Sequence, residues 1–154
     1  MGRKNQAKID FLSEYKSAQR RVKALRMQLD ALKIEKYSIK GLSYEGGDMP
    51  RGHNQTDVAD LLIKLREREA KLKRQIANAI EIQTRVVDVI NRQDDALEMI
   101  VLTCKYVKGM AWKEISAEIG LNSESRPREI HGEALEKLHW EPPIEAATEN
   151  NDGI

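Results

Sequence analysis

The chain has 154 residues, of which 40% are hydrophobic, 5% aromatic and 33% charged, with a formal net charge of +1. That balance supports a modest core built from long helices with narrow apolar stripes and argues against a two-layer α/β fold. A single cysteine, Cys104, leaves no internal disulfide and no thiolate metal cluster, and with no long apolar run there is neither an expected membrane span nor a signal peptide, so the expected compartment is the cytoplasm.

Residues 7–38 are predicted to form one long helix. Phe11, Tyr15, Ala18, Val22, Leu25, Leu29 and Leu32 recur at alternating spacings of four and three, the seam of a coiled coil. Lys33, Lys36 and Lys40 complement the dipole at its end, and Gly41 is the expected cap. The glycines and Pro50 of 41–55 mark a loop, after which Thr56 is the expected N-cap of a second helix reaching about Arg92. Its seam is Val58, Leu62, Leu65, Glu69, Leu72, Ile76, Ala79, Gln83, Val86 and Ile90, with Glu69 and Gln83 interrupting the apolar stripe. Two such helices joined by a loop predict an antiparallel hairpin over 1–92. Leu61, Ile80, Val87 and Val89 are apolar residues left over for a second packing surface, which makes a homo-oligomer through the hairpin an expectation.

Residues 93–140 are predicted to form a small helix-turn-helix module. Asp94 and Asp95 open a helix over 94–108, with Leu97, Ile100, Val101, Cys104 and Val107 as its apolar set; Lys105, Lys108 and Gly109 close it. A short helix, Trp112–Ile119, and a turn at Gly120-Leu121-Asn122 lead to a last helix ending near Leu138, with Pro142 and Pro143 as its stop. A helix-turn-helix needs an apolar and then a small residue where its helices cross, which Ile115 and Ser116 supply. Ile119 anchors the turn, Gly120 accepts positive φ, and Ile130, Ala134, Leu135 and Leu138 line the inner face of the last helix. Proline is tolerated only in a helix's first turn, so with Pro127 in place the last helix begins at either Ser123 or Ser125. The tail 141–154 holds four acids and no base and is expected to be disordered.

Charge is uneven: residues 1–40 carry 11 Lys/Arg against 4 Asp/Glu, and residues 93–140 carry 6 against 9. No catalytic chemistry is legible. Gly46-Gly47 lacks a following Gly-Lys-Ser/Thr, His131 and His139 are two helical turns apart, and no nucleophile stands beside a base. The expectation is therefore a non-enzyme without metal or cofactor, with Cys104 in a core.

The segment from about Leu97 to Leu138 resembles the −35-binding region of bacterial sigma factors. The resemblance is carried by Tyr106-Val-Lys-Gly109, Trp112-Lys-Glu-Ile115, Ile119-Gly120, Ser123, Ile130-His131 and Ala134-Leu135-Glu-Lys-Leu138. With the loop Gly47-Asp-Met-Pro-Arg-Gly52, the whole chain resembles phage late-transcription regulators of the ArpU/RinA type. The resemblance implies double-stranded DNA as partner, with Arg128 as the first base-reading residue and Arg126, Ser125 and Glu129 next to it. It implies that Ser123 caps the helix and touches phosphate, and that Lys113 holds the DNA backbone. RNA polymerase is a further expected partner. The competing expectation is a non-catalytic adaptor whose working surface is the hairpin.

Overall fold

The computed structural model describes residues 2–44 and 55–144, with side chains described over 2–41 and 57–144. The protein is all-α, and no strand occurs among the described residues. The elements are α1 (Arg3–Tyr44), α2 (Gln55–Ile90), α3 (Ala96–Leu102) running into a π-helical turn (Thr103–Val107), α4 (Trp112–Glu118) and α5 (Ser125–Lys137). No described helix is long and apolar enough to cross a membrane. The chain divides into two compact units, one from residues 1–16 with 84–154 and one from 17–83.

In the 17–83 unit, α1 packs on α2. Ala18 and Val22 meet Ala79, flanked by Ile76 and Ile82, while Lys36 further along α1 reaches back to Glu69 earlier in α2. Rising numbers on α1 meet falling numbers on α2, so the two segments run antiparallel. The seam residues Ala18, Val22, Leu25, Leu29, Leu32 and Leu65 are buried. Glu69 accepts Lys36 at 3.1 Å and Lys73 at 2.9 Å. Hydrogen bonds from Lys73 and then Lys36 hold its carboxyl down at about 2. The charge that interrupts the apolar stripe is therefore matched within it.

The helix ends differ from expectation in three places. Gly41 does not cap α1, which continues to Tyr44. Glycine stops a helix by taking positive φ, and among the described glycines only Gly109 and Gly120 do so. Lys36 sits with Glu69 and not at a helix terminus. Thr56 lies inside α2, which already begins at Gln55. The expected loop residues 45–54 and the tail from 145 onward fall outside the described residues.

The other unit gathers the start of α1, the end of α2 and the three short helices. Leu12, Val86, Val89, Ile90, Leu102, Tyr106, Ala134, Leu135 and Leu138 form one core cluster, with Phe11 and Trp140 against it. Phe11 and Trp140 stack with ring centroids 4.5 Å apart. Leu12 is fully buried here while Phe11 and Tyr15 are half-buried, so the heptad seam drifts by one position at the start of α1. This end of α1 has neighbours on more than one side. Its first turns are also tied to α5 by Asn5 Nδ2 donating to Glu136 Oε1 at 2.9 Å and Lys8 Nζ to the Leu135 carbonyl at 2.6 Å. Val101, Cys104, Ile115 and Ile130 form a second cluster in the same unit, closed by Met110, Trp112 and Ile119.

Leu97 and Ile100, expected in the core, are 40% and 43% exposed. The inward stripe is Glu98, Val101, Leu102 and then Tyr106. On an unbroken α-helix the position seven after Glu98 would be Lys105. The wider π turn, marked by Lys108 N–H donating to Thr103 O at 3.0 Å, adds one residue and brings Tyr106 inward instead. The helix expected over 94–108 is thus real but kinked in register, and the apolar residues before the kink face partly outward.

Candidate nucleic-acid interface

Asp95 caps α3, its carboxylate accepting from Leu97 N–H at 2.8 Å and Glu98 N–H at 3.1 Å. The π turn ends at Gly109, φ +69°, and Met110 N–H closes back on Cys104 O. α4 starts at Trp112, with Glu114 accepting from Ala111 N–H at 3.1 Å. It ends in a Schellman arrangement: Gly120 has φ +76°, its N–H donates to Ala117 O, and Leu121 N–H donates to Ser116 O. Ile115 and Ser116 are buried and Ile119 is half-buried, as the crossing requires. Ser116 also donates to the Ser123 carbonyl at 2.9 Å, tying the end of the turn back to α4.

Of the two expected starts for the last helix, the structure takes Ser125. Pro127 is then third in the helix, within the first turn, where its missing N–H would have had no intrahelical partner. Its ring is fully buried and fills an inward position. The stripe Pro127, Ile130, His131, Ala134, Leu135 and Leu138 is buried along one face. Ser123 stands two residues ahead of α5, and its Oγ accepts from Ser125 N–H at 3.2 Å. The residue directly before the helix is Glu124, which makes no side-chain cap. α5 ends at Lys137, with Leu138 in an extended conformation. It stops well short of Pro142 and Pro143, so these prolines do not terminate it.

The expected site residues fall on one end of α5 and the start of α4. Ser123, Ser125, Arg126, Arg128 and Glu129 are all exposed around the first turns of α5, and Lys113 is exposed on α4. Each arginine lies beside carboxylates of its own segment: Arg128 is 3.4 Å from Glu124, and Arg126 is 3.2 Å from Glu129 and 3.7 Å from Glu133. These are solvent-exposed pairs, worth at most about 1 kcal/mol each, so they orient the guanidinium groups without locking them.

Behind this surface lies a polar stack. Tyr106 Oη and His131 Nε2 are 2.6 Å apart. Burial holds the Tyr106 phenol up at about 12. Burial first, and the Lys105 ammonium second, push His131 down to about 4. Both groups are therefore neutral at neutral pH, and the contact is a hydrogen bond between uncharged partners. Trp112 meets His131 edge-on at 5.1 Å. Lys105 Nζ lies 4.5 Å above the indole and the Arg128 guanidinium 6.0 Å from it. Further down α5, Gln93 donates to Ala134 O at 3.1 Å, and Lys137 pairs with the buried Glu98 at 2.8 Å.

Lys105, Trp112 and His131 adjoin the expected site residues; Trp112 and His131 stand in the motifs that carry the resemblance but without a site role, and Lys105 stands in none. For His131 a signal exists: it lies four residues after Pro127 and seven before Leu138, on the inward stripe. For Lys105 none exists, because its place over Trp112 is a contact between separate segments. The surface so built presents hydrogen-bond donors and acceptors beside each other at one helix end. Comparisons with protein-family profiles, with curated proteins and with solved structures found no match for this chain.

Proposed function

We propose that this chain is a sequence-specific DNA-binding transcriptional regulator and, on its resemblance to the ArpU/RinA type, an activator of phage or prophage late genes. The supporting observation is the two-sided build of α5. Its inner stripe is buried from Pro127 to Leu135, while Arg126 and Arg128 project from its first turns beside the Gly120 turn. In this reading α4 and α5 are a helix-turn-helix, and the start of α5 enters the major groove. Arg128 reads a base edge, with Arg126, Ser125 and Glu129 beside it, and Ser123 and Lys113 contact phosphates. The hairpin serves oligomerisation or contact with RNA polymerase.

The test is selection of bound duplexes from a random pool by the purified protein at moderate salt, followed by sequencing. One enriched motif, lost in Arg128→Ala, is the expected result. A folded protein that retains no motif overturns direct sequence reading.

A second reading has its own observation. Met27, Ile34 and Tyr37 on α1, and Leu61 and Ile63 on α2, are exposed apolar residues, Tyr37 to 80%. They fit an adaptor that works through the hairpin and leaves DNA to its partner, RNA polymerase or a phage protein. In that case Arg128→Ala leaves activity intact, whereas charge reversal at Arg20 and Arg21 abolishes it.

A further inference from the structure

We infer that the DNA-binding surface is composite: Lys16 of α1 joins Lys105, Lys108 and Lys113 in a belt that holds the phosphate backbone of double-stranded DNA beside the groove entered by α5. The inference rests on the DNA-binding reading above and names the part of the interface that supplies its sequence-independent affinity.

Three contacts mark the belt, and two further lysines adjoin them in the sequence. The half-buried end of Lys16, its ammonium included, lies over the Gly109 turn: a β-carbon on residue 109 would be 2.8 Å from Lys16 Cε and 3.3 Å from Nζ. Lys108 precedes that glycine and is exposed. Lys105, one turn earlier, lies on the Trp112 indole at 4.5 Å, and Arg128 approaches the same ring. Lys113 follows Trp112 on α4. The glycine turn thus holds Lys16, and the indole holds Lys105 beside Arg128 of α5, with Lys108 and Lys113 next to them in the sequence. Carboxylates also belong to the same region. Glu114 is engaged with Ala111 N–H, and Glu118 borders a groove with Lys108.

The belt answers a charge problem. Residues 93–140 carry more acids than bases, whereas affinity for DNA comes mainly from cations that displace counterions from phosphates. A helix end whose arginines stand among glutamates gains little of that affinity alone. Lysines gathered beside it, one of them from a distant part of the chain, supply it without changing which bases are read. Gly109 allows the approach: its missing side chain leaves the space that Lys16 occupies.

The experiment uses the full chain and the duplex enriched by selection. Affinity is measured from about 50 to 200 mM salt for the wild type, Lys16→Gln, Lys108→Gln, Lys16→Arg and Lys4→Gln. Each lost phosphate contact should flatten the slope of log affinity against log salt by about 0.9 and weaken binding about five- to tenfold near 0.1 M salt. Lys16→Gln and Lys108→Gln should both do so with the enriched motif unchanged. Lys16→Arg should keep the wild-type slope. Lys4→Gln should also keep it, because Lys4 lies on α1 next to Asn5, which bonds the other end of α5. If the motif is bound and depends on Arg128, but neither glutamine variant changes the slope, the belt is wrong and the DNA reading stands. If no duplex is bound at any salt, both fall.

Discussion

His131 is the residue whose chemistry differs most from its appearance in the sequence. A histidine in the middle of a short, charged helix would ordinarily be taken for an exposed group. Here it is buried against Tyr106 and Trp112, and its folded-state value is about 4 against an ordinary 6.5. The unfolded chain therefore binds a proton more readily than the folded one between these values. Stability from this group is complete above about pH 6.5 and is lost as pH falls toward 4, on the order of 2–3 kcal/mol in all. Urea unfolding of the wild type and His131→Gln across this range should show the wild type losing its advantage as pH falls. A constant difference would mean that His131 is protonated in the folded protein. Tyr106→Phe removes the hydroxyl partner and should cost about 1–3 kcal/mol at neutral pH, read from the same curves. Arg128 belongs to the other kind of residue. It is exposed and lies beside Glu124 and the edge of Trp112, so Arg128→Ala should leave stability within about 0.5 kcal/mol and, on the proposed function, remove sequence preference.

At the scale of elements, the turns were more legible than the helix they follow. Gly120 is readable as a positive-φ position because it follows the apolar anchor Ile119 and opens the turn Gly120-Leu121-Asn122, and the turn takes that form. No atom lies within 4 Å of a β-carbon built at Gly120. The cost of Gly120→Ala is then conformational alone, about 1–2 kcal/mol, and should appear as a lower thermal midpoint with native helix content. An unchanged midpoint would contradict the strain argument. The π turn at Thr103–Val107 was not legible. Apolar periodicity places Leu97 and Ile100 inward with Val101 and Cys104, and nothing in residue type says that one extra residue enters the turn. Burial of Tyr106 with Leu102, Leu135 and Val86 in one cluster accompanies it, while Lys105 stays half-buried over Trp112. Pro127 lies between these cases. The sequence limits it to a first turn, and the choice of Ser125 as the start follows from the buried pocket that its ring fills.

At the scale of the whole molecule, the long helices show how a seam can be selective as well as apolar. Glu69 stands where a heptad expects an apolar residue and is matched by Lys36 and Lys73. Its value is held at about 2 against 4.5, chiefly by hydrogen bonds from these lysines. The stability that it contributes is present above about pH 4.5 and is lost as pH falls through 2. Glu69→Gln should therefore be less stable than the wild type at neutral pH, with the difference closing in acid, as urea midpoints at a series of pH values would show. The helical class, the antiparallel pairing of α1 with α2, the glycine turn before α5 and the inner stripe of α5 all follow from the sequence by itself. Each is set by spacing or backbone freedom within one segment, or by two matching stripes. The register of the π turn, the neutral Tyr106–His131 contact, the drift of the seam at Leu12 and the placing of Lys16 beside Gly109 were decided only by tertiary structure. These depend on which surfaces from distant parts of the chain compete for the same buried space, and local periodicity carries no record of that competition.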